Sequence, residues 1–201
     1  MAETLKTASV RESDSGKRFL KALRLISILA LTMSVSSVAF DWLSASGKYF
    51  EDGASWIYDC AIYGLVAISF GRSVFYERAA AFMLSLVLTA AGCQGSYDVW
   101  SEIARRGHDV SVDTPFSALV FATGAILEAA LLFKFRKSRE CLMMATWLSA
   151  RNSAAVALAG AAVSLVFHAP TASGPQIFLD CLDTVLAFQA AFLVAKGIVE
   201  N

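Results

Sequence analysis

Residues 154–167 read Ala154-Ala155-Val156-Ala157-Leu158-Ala159-Gly160-Ala161-Ala162-Val163-Ser164-Leu165-Val166-Phe167, with one hydroxyl in fourteen positions. A helix on the surface of a water-soluble bundle keeps a polar stripe toward solvent. This stretch has none, so its outer face must meet something apolar. It belongs to one of six apolar blocks: Leu20–Leu43, Ser55–Phe70, Ala79–Trp100, Phe116–Phe135, Cys141–His168 and Ile177–Val199. Each approaches the ~20 residues that a helix needs to cross a hydrocarbon core. The second is short unless it begins near Asp52. The composition agrees: 57% of the 201 residues are hydrophobic and only 17% are charged, against ~25% charged in an average soluble domain.

The expected fold class is therefore all-α, a polytopic membrane protein of six transmembrane helices. If all six cross, alternate connections share one side. That side holds Lys6, Arg11, Lys17, Arg18, Lys21, Arg24, Arg72, Arg78, Lys134, Arg136, Lys137, Arg139 and Lys196, which is 13 of the 17 basic residues. The other side holds Lys48, Arg105 and Arg106, and Arg151 lies inside the fifth block. Basic residues set orientation, so both termini are expected in the cytoplasm. Residues 1–18 read as a disordered cytoplasmic tail and residues 19–201 as the six-helix domain. No cleavable signal peptide is expected, because the first 18 residues are polar and the apolar run after them is too long for an h-region. A plasma or inner membrane is the simplest location.

Net charge is zero, so no bulk field draws nucleic acid; the expected partner is the lipid bilayer. Cys60, Cys93, Cys141 and Cys181 lie in or beside apolar blocks without a C-x-x-C pair. Neither a disulfide framework nor a thiolate zinc site is expected. No Ser-His-Asp or Cys-His grouping is close in sequence, and His108 and His168 lie in outer connections or at helix ends, so no enzyme is expected. The fifth block is dense in small residues, with Ala157/Ala161 and Gly160/Ser164 four apart. Such faces let helix backbones approach closely in lipid, which places this helix in the middle of a bundle.

Ionisable groups inside a bilayer cost several kcal/mol and mark candidate sites. Asp59, Glu128 and Arg151 fall within their blocks, whereas Asp98, Asp180 and Asp183 fall within a turn or two of the outer surface. A neutral carboxyl and an ion pair with Arg151 are the alternatives for Asp59 and for Glu128. Asp52, Ser55 and Asp59 share one helix face at i, i+3 and i+7, and Ser149 and Ser153 share another at i, i+4. The two faces could enclose a polar pocket.

These residues resemble the six-helix transmembrane domain of the cation diffusion facilitator (cation efflux) family over about residues 18–200. The resemblance is carried by Asp52-Gly-Ala-Ser55-Trp-Ile-Tyr-Asp59 in the second helix and Tyr76-Glu77-Arg78-Ala79-Ala80 before the third. It continues in Glu102-Ile103-Ala104-Arg105, in Glu128 where the family carries a mid-span Asn, and in Ser149-Ala-Arg151-Asn-Ser153. Asp180 or Asp183 opens the sixth helix and Gly197 closes it. The resemblance implies a four-ligand transport site at Ser55, Asp59, Ser149 and Ser153, with Asp52 on the same face. Only Asp59 is a strong ligand there. With most ligands replaced, the expected function is a partner, regulatory or structural membrane subunit that does not move zinc, as a homodimer or a hetero-oligomer with another membrane protein. The alternative is an active divalent-cation/proton antiporter using Asp59 with oxygen ligands, Glu128 as a second proton group, and Mn, Mg, Fe or Zn as the ion. Oxygen ligands favour the harder of these ions.

Overall fold

In the computed structural model the described residues are 13–44, 49–104, 115–138, 140–166 and 173–200. They form six α-helices: α1 (Asp14–Ser44), α2 (Tyr49–Ser69), α3 (Val74–Ala104), α4 (Pro115–Leu132), α5 (Cys141–Val166) and α6 (Ser173–Glu200). A 3-10 turn at Phe133–Phe135 follows α4, and no strand occurs among the described residues. Five helices are long and apolar enough to cross a membrane: α1 over Asp14–Ala39, α3, α4 with the turn over Ala118–Phe135, α5, and α6 over Gly174–Val199. The chain is thus an integral membrane protein by the length and composition of its helices. Six crossing helices were expected; among the described residues α2 contributes only the shorter apolar segment Asp59–Ser69.

The outward faces are apolar. Ile28, Leu31 and Val35 on α1 and Val185, Phe192 and Val199 on α6 are all exposed. Several hydroxyls within the helices bond the carbonyl four residues back: Thr32 to Ile28, Thr89 to Ser85, Ser96 to Gly92, Thr123 to Leu119 and Thr146 to Leu142, at 2.7–2.8 Å. Such bonds satisfy a hydroxyl without water, as the hydrocarbon region requires.

The chain divides into two units, residues 1–80 and 81–201. In the first, α1 packs along α2. Phe19, Leu23, Ile26 and Ala30 recur at helical spacing and are buried, as are Tyr63 and Val66 on α2 and Phe70 just after it. The Phe19 and Phe70 rings meet edge to face at 5.0 Å. The α1 helix starts at Asp14, with Ser13 Oγ accepting from Gly16 N–H at 3.1 Å. Residues 14–18 of the expected tail are therefore helical, and residues 1–12 lie outside the described residues. After α2, Gly71 takes φ 71°, a left-handed conformation that costs other residues more. Its N–H donates to Glu77 Oε1 at 2.6 Å, and Ser73 Oγ accepts from Tyr76 N–H to cap α3. Much of the Gly71–Arg78 connection is therefore the first turn of α3.

In the second unit, α5 packs against both α4 and α6. The α4–α5 contact is a seam of alanines: Ala118, Ala122 and Ala125 against Ala154, Ala157 and Ala161. No long side chain holds these backbones apart, so dispersion between close helices replaces the absent hydrophobic drive. Ala157 and Ala161 behave as the small-residue spacing predicts. Gly160 does not, since a Cβ there would meet nothing within 4 Å.

The α3 and α6 helices cross where Ser85 Oγ donates to Ala191 O at 3.2 Å. Farther along, a Cβ on Gly92 would lie 3.0 Å from the Phe188 ring, and one on Gly95 would lie 2.5 Å from Thr184 Oγ1. Partner numbers on α6 fall as those on α3 rise, so the two helices run antiparallel.

Candidate functional site

Asp59 sits half-buried on α2, at the start of its apolar segment. Asp52 and Ser55 lie on the same helix, but their side chains fall outside the described residues. Glu128 is buried on α4, with 1% of its surface exposed. Ser149 and Ser153 are half-buried on α5. Among the described residues, no three His, Cys, Asp or Glu side chains gather where they could hold a metal ion.

The structure builds a polar seam in the register of Ser149–Ser153, on residues other than the serines. Arg151 donates from Nε and Nη2 to Asn152 Oδ1, at 3.2 and 2.9 Å. Its Nη2 also donates to Gln189 Oε1 on α6 at 3.2 Å. Asn152, only 5% exposed, donates from Nδ2 to Leu186 O on α6 at 2.6 Å. The guanidinium thus rests on two amide oxygens, and the amide it polarises ties α5 to α6. A hydrogen bond with one charged partner is stronger than a neutral pair.

Sequence reasoning singled out Arg151 and missed Asn152 and Gln189 as its partners. The available signal was the mid-block position of both amides, since each needs a partner when buried. What the sequence could not supply was the alignment of residue 151 with residue 189 on the next helix.

A second polar region lies at the end of the unit where α4 and α6 begin and α5 ends. Asp180 and Asp183 are half-buried on α6, and Gln176 Nε2 donates to Asp180 Oδ1 at 3.0 Å. On α3, Gln94 Nε2 donates to both oxygens of Asp98 at 3.1 and 3.3 Å. Asp98 and Glu102 lie within electrostatic reach of Asp180. Asp180 and Asp183 also line a half-open cavity of about 230 Å³ among α4, α5 and α6. The sequence placed these aspartates near the outer surface but gave no sign of the cavity.

No protein-family model and no curated protein matches the chain.

Proposed function

We propose that this integral membrane protein is a partner, regulatory or structural subunit, derived from a cation-efflux-like transmembrane domain, that does not move zinc. In this reading α2 crosses with the other five helices, both termini are cytoplasmic, and the protein works in a plasma or inner membrane with a second copy or another membrane protein. The charge asymmetry of 13 basic residues against three supports the orientation.

The observation that carries the reading is the seam of Arg151, Asn152 and Gln189. It occupies the register where the resemblance implies two metal ligands, and there the polar groups of α5 are engaged in holding α6. Hydroxyls at 149 and 153 are weak ligands beside it.

Asp59 separates this reading from an active antiporter. Asp59→Asn is expected to leave the thermal midpoint of the purified protein unchanged or raised, because it removes a half-buried charge that costs solvation. Zn²⁺, Mn²⁺, Fe²⁺ and Mg²⁺ are expected to shift neither protein. A ligand of the folded state at 100 times its dissociation constant would add about 2.7 kcal/mol, which a thermal melt resolves. A shift by one ion in the wild type, lost in Asp59→Asn, would favour the antiporter instead.

A further inference from the structure

The cavity among α4, α5 and α6 has apolar walls and two acidic groups. Gln176, Leu179, Asp180 and Asp183 fall at i, i+3, i+4 and i+7, so one face of α6 forms one wall. At 1.5 Å per residue, Asp183 lies roughly 10 Å farther along the helix than Gln176. Phe121 on α4 and Val156 on α5 face that wall. The open space beside the Gly160 Cα is part of the same cavity.

Asp180 is hydrogen-bonded by a neutral amide, and among the described residues no Lys or Arg forms an ion pair with Asp180 or Asp183. Asp98 and Glu102 add to the negative potential at Asp180. A low-dielectric wall strengthens that field, so a cation entering the cavity gains more than it would in water.

The chemistry of the walls selects the kind of cation. Hard divalent ions want six or more oxygens, and zinc wants His or Cys nitrogen and sulfur. Among the described residues, this lining offers two carboxylates, one amide, one hydroxyl (Ser164), and neither His nor Cys. An aromatic ring and aliphatic walls suit an alkylammonium body, which also gains from the Phe121 face. The volume is below the ~300–1,000 Å³ of sites for drug-sized ligands, so the occupant is small.

We infer that this cavity is a binding site for a small organic cation with an apolar body, held by Asp183 and Asp180 against Phe121 and the α5 wall. On the topology proposed above, it opens to the non-cytoplasmic side. The site itself does not depend on that topology or on the absence of metal transport.

The test is calorimetric titration of the full-length protein in lipid nanodiscs with benzyltrimethylammonium. Its neutral near-isostere, benzyldimethylcarbinol, serves as comparator. Saturable binding of the cation is expected, with no binding of the carbinol. Asp183→Asn should weaken binding about tenfold or more, as expected for loss of a charged partner. Gly160→Leu should abolish binding by filling the cavity. Gly64→Leu, at a second glycine whose Cβ would meet nothing within 4 Å, should leave it unchanged. If Asp183→Asn does not purify as a folded protein, Gly160→Leu and the carbinol carry the test. Equal binding of cation and carbinol would overturn the inference, as would wild-type affinity in either Asp183→Asn or Gly160→Leu. Absence of cation binding, with or without a calcium or magnesium response, would also overturn it.

Discussion

Replacing Asn152 with Leu is expected to lower the stability of the unit formed by residues 81–201 by about 2 kcal/mol, although the new side chain has the same number and branching of heavy atoms and is more apolar. The native amide makes two kinds of bond. Its Nδ2 donates to Leu186 O, and its Oδ1 accepts twice from Arg151. Interhelical hydrogen bonds in membranes contribute ~0.6 kcal/mol on average and ~1.7 at most. The greater cost comes from Arg151, which is left with only the Gln189 oxygen. A charge that loses a partner in a dry environment bears the desolvation cost of the missing bond. Removing both partners is milder than removing one. Arg151→Met added to Asn152→Leu should therefore recover at least half the loss, a coupling of roughly 1 kcal/mol or more. Denaturing-detergent titration followed by tryptophan emission would measure this, with Trp147 on α5 as a reporter. Equal and additive losses would mean that Arg151 and Asn152 act independently.

The second large effect is steric. Gly95→Ala should cost about 3 kcal/mol, at the upper end of overpacking penalties. The added carbon would lie 2.5 Å from Thr184 Oγ1, and no real Cβ tolerates that approach. Thr184 divides between two rotamers in a helix, so its hydroxyl can turn aside only by moving to the one alternative. Relief otherwise comes from the helices moving apart, at the expense of the Ser85–Ala191 bond and the Gly92–Phe188 contact. Thr184→Ala removes the obstructing oxygen. That oxygen is buried without a hydrogen-bond partner, so this substitution alone should change stability by less than about 0.5 kcal/mol. The double variant Gly95→Ala with Thr184→Ala should return to within about 1 kcal/mol of wild type, because the nearest side-chain carbon is then at an ordinary 3.6 Å. Failure of the rescue would place the strain elsewhere on the α3–α6 crossing.

Which features the sequence disclosed follows from the range of the interactions involved. Helix number and apolar character are local, and six helices form near the six apolar blocks. The alanine seam is also semi-local: small residues at i, i+3 and i+4 in both α4 and α5 fix the face, and a short connection makes the pair adjacent. Helix ends were harder. The α1 helix reaches back to Asp14 through a serine cap, because its polar first turn leaves no hydropathy signal, and α3 starts at Val74 rather than Ala79, because Glu77 and Arg78 interrupt its apolar run.

The candidate site was legible only as a set of residues that do not belong in lipid. Arg151 stood out for its charge, but Asn152 is its sequence neighbour, and adjacent helix residues do not usually face each other. Gln189 is 38 positions away, and its pairing follows from the α5–α6 packing. The cavity is farther still from sequence reading. It needs Gly160 to present no side chain, α4 to end its contact near Ala118, and α6 to turn Asp183 inward.

In the proposed reading, the polar groups of this membrane protein are engaged in helix packing and do not move metal. Divalent-cation flux in sealed proteoliposomes under an imposed proton gradient tests this. Uptake of Zn²⁺ and Mn²⁺ is expected to be no faster than in protein-free vesicles, for both wild type and Asp59→Asn. Proton-driven uptake by the wild type that disappears in Asp59→Asn would contradict it.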